Sequence, residues 1–415
     1  MAMNNMSTNG GNMGDKNIRT IDFKTLFRNN IRNYSMFLIL ALIMLIFAPM
    51  VSWRNFGARN LTNIFFQYSY VLILAVGMVQ CIIILGIDLS VGSVCAFVGA
   101  LTAMIYNSGA GMPMTLAAAL VIGVSIGAFQ GFWIAYMKIP AFIVTLAGMM
   151  LFRGLTYIVT NINPISLKDN GYSYLATGTV DEVLKLGPIV DTGSFRLYPA
   201  SLVMGVALVA LYIISEVIAR NKKIANGFEV SSTLIFIGKL ATISALVLVL
   251  AERFAEYRGL PIVVLVVGTT VFVFHFILNN TVLGRYIYAV GGNSRSAKLS
   301  GINSELITFI VFCFMGMLAG LAAVISTGYM NTALPQAGLN FELDAIAACY
   351  IGGVSAGGGI GTVVGVIVGG LVMSAINNGM SLMNLGQHYQ YVVKAMVVLL
   401  AVFYDVYTRR KAGLG

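Results

Sequence analysis

Stretches of roughly 17 to 25 apolar residues, each long enough to cross the hydrocarbon core of a bilayer as a helix, follow one another through almost the whole chain. They begin near Ser35, Tyr70, Ser90, Pro113, Pro140, Pro199, Ser232, Leu260, Leu306, Leu343, Gly361 and Tyr391. With 58% of residues hydrophobic and 10% charged, one or two soluble cores cannot cover that much apolar surface. The predicted fold is all-α: a polytopic integral membrane protein with about 10–12 transmembrane helices. The segment around 342–356 is the irregular one, because Asp344 to Gly353 is short for a full crossing. It either re-enters the bilayer or forms a broken helix facing a pathway, since irregular backbone at membrane depth is tolerated where it lines a cavity.

Lysines and arginines set the orientation. Lys16, Arg19, Lys24, Arg28 and Arg32 precede the first span, and Arg409, Arg410 and Lys411 follow the last, so both termini are predicted to be cytoplasmic. Twelve spans place Arg220, Lys222 and Lys223 inside as well, together with Arg285, Arg295 and Lys298. The stretch from Asn161 to Arg196, with Asp169, Asp181, Glu182 and Asp191 against Lys168, Lys185 and Arg196, falls outside. The net charge of +10 then reflects cytoplasmic flanks near anionic lipid, and nucleic acid is not an expected partner. Residues 1–33, rich in Asn, Gly and Met, read as a flexible cytoplasmic tail, 34–408 as the transmembrane domain, and 409–415 as a second cytoplasmic tail. No cleavable signal pattern is seen, and the first span serves as the targeting signal.

Glycines recurring every four residues, Gly123, Gly127 and Gly131 in one span and Gly353, Gly357, Gly361, Gly365 and Gly369 around another, predict close helix contacts. Cys81, Cys95, Cys313 and Cys349 stand singly in apolar runs and read as small packing residues. Polar groups inside apolar runs are costly and mark candidate sites. Asp88 and Ser90, in LGIDLSVGS, read as a helix cap or as a gate in a path for hydroxyl-bearing cargo. Arg153, with Thr145 and Thr156 on neighbouring turns, needs an acceptor and reads as a structural contact or a path residue. Gln80, Gln130, Asn377 and Asn378 either bond between helices or face water, and Asp344 joins the candidate path. Lys239 and Lys394 are expected to snorkel to the nearest span ends. His275 and His388 are isolated, and no metal is expected.

The phosphate-cradling pattern GxxxxGK[ST] is absent from the sequence, as are HExxH and CxxC. An enzyme is not expected, and any ATP energy must come from a partner. Between two long apolar runs lies NTVLGRYIYAVGGNSRSAKLSGINS, residues 280–304, too polar for lipid. Gly284, Gly291, Gly292 and Gly301 permit sharp turns there, and Arg285, Arg295 and Lys298, with Tyr286 and Asn293 between them, give a basic surface suited to docking a protein.

Five motifs carry a resemblance: LGIDLSVGSV (85–94), IPAFIVTLAGMMLFRGLTYIVT (139–160), TVLGRYIYAVGGNSRSAKLSGIN (281–303), ELDAIAACYIGGVSAGGGIGTVVGVIVGGLVM (342–373) and QYVVKAMVVLLAVFYD (390–405). In this order the chain resembles the permease subunits of bacterial ABC importers for monosaccharides, the ribose, xylose and galactose group. The resemblance implies a permease homodimer in the bacterial cytoplasmic (inner) membrane. It also implies a cytoplasmic ABC ATPase that binds ATP and magnesium, and an extracytoplasmic sugar-binding protein. The 280–304 loop becomes the ATPase-coupling segment. Residues 199–257 look like two added spans relative to the shorter ribose-type permeases, which favours xylose or a hexose such as galactose or glucose. The alternatives are a secondary transporter driven by an ion gradient, with Asp88 as its carboxylate, and a membrane scaffold without transport.

Overall fold

The computed structural model describes residues 20–21, 23–191, 196–228 and 230–411. Fifteen α-helices run in chain order: α1 Phe23–Met50, α2 Ala58–Ile83, α3 Val91–Asn107, α4 Met112–Ala135, α5 Ala141–Thr160, α6 Tyr174–Thr177, α7 Val180–Val183, α8 Pro199–Ala225, α9 Thr233–Tyr257, α10 Ile262–Asn280, α11 Val282–Leu299, α12 Ser304–Met330, α13 Phe341–Ile351, α14 Val363–Leu382 and α15 Gln387–Lys411. Among the described residues, β structure is confined to two-residue strands. The protein is an all-α polytopic membrane protein.

Among the described residues eight helices, α2, α4, α5, α8, α9, α10, α12 and α14, are long and apolar enough to cross a membrane. The other four predicted spans fall on α1, α3, α13 and α15. In α1 the described apolar stretch is Met36–Met50, and α3 has 17 residues because it begins after a turn inside the bundle. At 11 residues, α13 is about 16 Å long, half a bilayer core. Two boundaries are corrected. The helix predicted near Tyr70 begins at Ala58, since Ala58 to Gln67 continue the same helical period, and α1 starts at Phe23, inside the predicted tail, as the Phe23, Phe27, Ile31 spacing permits.

The described residues separate into two compact units, one drawn from those up to 31 with those of 204–250 and one from those of 32–203 with those of 251–411. In the smaller unit, α8 and α9 are joined by an ion pair, Lys239 Nζ to Glu216 at 2.7 Å, and the Arg220 guanidinium lies over the Phe236 ring. Lys239 is therefore held by a carboxylate on the adjacent helix rather than snorkelling to a span end.

In the larger unit α12 is the central helix, packed on α4, α2 and α3, and α13 and α14 pack against α2. The α4–α12 seam follows from the predicted stripe: Gly123 meets the Gly316 carbonyl, Gly127 meets Phe312 and Cys313, and Gly320 meets Ala119, backbone against backbone. The second predicted stripe does not lie on one helix. Gly353 turns with φ +79°, and only Gly365 and Gly369 sit on α14, where they touch Gly352 and Ala348. Cys95, buried on α3, donates its thiol to the Ala319 carbonyl at 3.2 Å. Outward faces carry large apolar side chains such as Met150, Ile158 and Phe272, as helices facing lipid require.

The described part of the connection between α5 and α8, residues 161–191, is built rather than loose. Thr179 and Glu182 form a reciprocal capping box on α7. Fully buried Asp181 accepts from the Ala200 N–H at 3.0 Å and the Leu260 N–H at 3.2 Å, tying the starts of α8 and α10 to one carboxylate.

Gly127→Val puts a branched side chain into the Phe312 carbonyl across the α4–α12 seam. It is expected to cost about 1–3 kcal/mol or more, the range for overpacking. A melting temperature in detergent equal to wild type would show that the seam is not tight.

Candidate functional site

Two breaks in the helices meet inside the larger unit. The first is the turn 84–90 between α2 and α3, and the second is the segment 331–340 between α12 and α13. They touch where Gly92, at the start of α3, lies against Gly338, with the Glu342 carboxylate beside it. Gly338 has φ +75°, and neither position has room for a side chain.

Backbone groups exposed by these breaks are answered by polar side chains. Asp88 accepts from the Ser90 N–H at 2.8 Å and from the Ser90 hydroxyl at 2.7 Å. Gln130 of α4 donates to the Ser90 oxygen at 2.8 Å, and Thr145 of α5 donates to the Ile87 carbonyl at 3.2 Å. Asp88 thus closes the turn ahead of α3 and does not cap the helix, because its oxygens are used on Ser90, and Ser90 makes no side-chain cap either. The Arg153 guanidinium reaches from α5 to the second break and donates to the carbonyls of Ala337 at 2.6 Å and Pro335 at 3.3 Å. Its acceptors are two backbone oxygens of a non-helical segment, the groups that lipid could not satisfy. Arg153 and Glu342 are both only part-buried, which at membrane depth calls for water or protein on that face. Glu342 was missed in the sequence. Its position two residues after the Gly338-Leu339-Asn340 turn, in the first turn of α13, is the available signal.

Asp88, Ser90, Thr145 and Arg153 are thereby brought around one pair of helix breaks. Gln80 and Asn377 are not. Each is buried within its own helix, α2 or α14, and Gln80 donates to the Val76 carbonyl at 3.0 Å. Asn378 is instead the interhelical group, exchanging amide bonds of 2.8 and 2.9 Å with Asn60. Asp344 sits on α13 and meets Lys394 of α15 at 2.9–3.0 Å. Lys394 is therefore an interhelical partner for a buried carboxylate rather than a snorkelling side chain, because the opposite charge on α13 lies within ion-pair distance.

The stretch 280–304 differs most from its expectation as a loop. Residues 282–299 form α11, with the Thr281 side chain capping it through the Gly284 N–H at 3.3 Å. One extended residue, Asn293, kinks it, and its side chain recaps the second half through the Ser296 N–H at 2.9 Å. Of the glycines only Gly301 adopts a positive φ, +86°. Gly284 and Gly291 serve close approach instead: Gly284 packs on the Leu278 carbonyl and Gly291 on the Ile83 carbonyl. They lie on the inner face with Ile287, Val290 and Ala297, whereas Arg285, Tyr286, Gly292, Asn293, Arg295 and Lys298 are exposed on the other. Leu299 is 86% exposed beside them, an apolar group in a basic surface. Lys298 bridges to Glu305 at 2.6 Å, leaving Arg285 and Arg295 as the outward charges of this face.

The chain matches the family model of the branched-chain amino acid transport system / permease component over residues 60–402. It is 35% identical over 383 residues to the xylose transport system permease protein of Haemophilus influenzae, covering 92% of this chain and 98% of that one. The xylose transport system permease protein of Escherichia coli K12 is 36% identical over 397 residues, with 94% and 95% covered. The ribose import permease protein of the same strain is 34% identical over 368 residues, with 89% and 92% covered. No solved structure matches.

Lys394→Met leaves Asp344 charged and without its partner inside the bundle, a loss of about 3–5 kcal/mol for a broken buried pair. Lys394→Met with Asp344→Leu removes both charges and is expected to restore most of the stability. Melting curves of the single and double variants in detergent decide this; equal melting of wild type and Lys394→Met would mean that the pair contributes nothing.

Proposed function

Because this chain belongs to the branched-chain amino acid transport system / permease component family, we propose that it is the membrane subunit of an ATP-binding-cassette importer for a monosaccharide, xylose or a hexose such as galactose or glucose. Two copies form the permease in the cytoplasmic membrane, with both termini inside. A cytoplasmic ATPase chain carries ATP and magnesium, and an extracytoplasmic sugar-binding protein delivers the cargo. The observation that carries the coupling is the two-faced α11: glycines press its inner side on the end of α2, and its outer side offers Arg285, Tyr286, Arg295 and Leu299. A plain connector needs the charge but not the rigid inner seat.

Transport proceeds by alternating access. The binding protein docks outside, ATP closes the ATPase pair, and α11 passes that motion into the bundle. The paired helix breaks held by Asp88, Ser90, Thr145 and Arg153 form the part of the path that rearranges. Cargo released from a tight binding protein needs only weak contacts here, in keeping with the few charged groups on the path. The ion-gradient reading takes Asp88 as its carboxylate, yet Asp88 is bonded twice to Ser90.

Arg285→Glu is expected to weaken capture of the ATPase chain severalfold in a pull-down, more at low salt, where exposed charges are least screened. Xylose uptake should fall in step; an unchanged pull-down would remove α11 from the docking surface. Arg153→Leu leaves its carbonyl acceptors unpaired, at about 1–3 kcal/mol each. Arg153→Lys keeps a charge but loses the planar fork. If Arg153 belongs to the path, reconstituted uptake falls with both variants more than melting does. Stability and uptake declining together would make it structural only.

A further inference from the structure

The turn from α13 to α14, residues 352–362, reads GGVSAGGGIGT and is clasped from two sides. Gly359 donates its N–H to the carbonyl of Ile83, the last residue of α2, at 2.9 Å. Tyr288, half-buried on α11, donates its hydroxyl to the Gly361 carbonyl at 2.7 Å. The turn is closed on itself by Ser355 N–H to the Ile360 carbonyl at 2.9 Å and Gly357 N–H to the Ser355 hydroxyl at 3.0 Å. Gly358 and Gly359, with φ +75° and +69°, lie against Gly291 and Gly292 of α11 so closely that a Cβ on either would fall within 3 Å of α11 backbone.

We infer that this glycine turn receives the displacement of α11 and that Tyr288 is the positioning residue that joins the two. The inference rests on α11 being the ATPase-docking helix. Side chains can absorb a push by changing rotamer, but backbone packed on backbone cannot, so a shift of α11 must carry the turn with it or break their contacts. The turn is continuous with α13, which is buried along most of its length and sealed to α14 through Gly352 and Ala348. About 16 Å away, at the other end of α13, lie Gly338 against Gly92 and the Ala337 carbonyl held by Arg153. A movement entering at Gly361 therefore leaves at the two helix breaks. Neither the basic face of α11 nor the Arg153 contact requires Tyr288, so its hydroxyl separates coupling from docking and from the path itself.

The test uses the full importer reconstituted with its ATPase chain and binding protein, with labelled D-xylose as probe, and measures xylose moved per ATP hydrolysed. Tyr288→Phe keeps the ring and removes only the bond to Gly361, and Gly359→Ala strains the turn from its other side. Both are expected to capture the ATPase chain as wild type does and to hydrolyse ATP, while xylose moved per ATP drops severalfold. Wild-type stoichiometry in both variants overturns the inference and leaves docking intact. Loss of melting temperature, ATPase capture and uptake together also overturns it, making Tyr288 a packing residue only. If the wild-type chain itself captures no ATPase, the docking reading fails and the inference with it.

Discussion

A helix that stops inside a membrane leaves carbonyls and N–H groups that lipid cannot satisfy, and much of the larger unit is organised around meeting that demand. The turn between α2 and α3 is met by Asp88, Ser90, Gln130 and Thr145. The segment before α13 is met by Arg153, and the turn after α13 by Tyr288 and the Ile83 carbonyl. Gln130 comes from α4, Thr145 and Arg153 from α5 and Tyr288 from α11, so the breaks also serve as staples, fastening α4, α5 and α11 to the α2–α13–α14 core. Polar residues that are expensive in an apolar run are retained here because each offsets a larger cost in the backbone.

Glycine supplies the second half of the design. Unbroken helices meet through Gly123, Gly127, Gly316 and Gly320, where the absence of a side chain lets α4 and α12 pack on their backbones. At the breaks the same property does a different job, allowing Gly338, Gly358 and Gly359 to turn with positive φ while touching another backbone. The protein is thereby stiff along the seams and hinged between short pieces. Such a distribution suits the alternating access proposed above.

Much of this was legible in the sequence. Apolar length announced the helices and the four-residue glycine spacing announced the α4 seam, whereas Asp88, Ser90, Thr145 and Arg153, read as cap, contact or path residues, lie around helix breaks that the sequence did not place there. Two kinds of feature were hidden. Polarity and glycine made 280–304 read as a loop, but a helix lying outside lipid needs no apolar run, and Gly284 and Gly291 were present for contact rather than for turning. Partners distant in sequence were equally invisible: nothing local to Lys394 or Asp344 says that the two meet across some fifty residues. Their distance from the nearest helix end was the wrong measure; the distance to the opposite charge decided the outcome. Whether the 342–356 segment crosses or returns also depended on what lay beside it, and α13 with its glycine turn is the short, protein-covered form.

The Asp344–Lys394 pair also bears on how the chain is made. Asp344 is translated and delivered toward the membrane well before α15 leaves the ribosome, so for that interval its carboxylate lacks the lysine that will neutralise it. Until the final helix arrives, α13 has reason to stay near the interface, and the bundle is incomplete however many spans have been inserted. The last helix thus acts as a closing stitch. A product truncated before Lys394 carries a stranded carboxylate in the bundle, the kind of defect by which membrane quality control can tell an unfinished chain from a finished one.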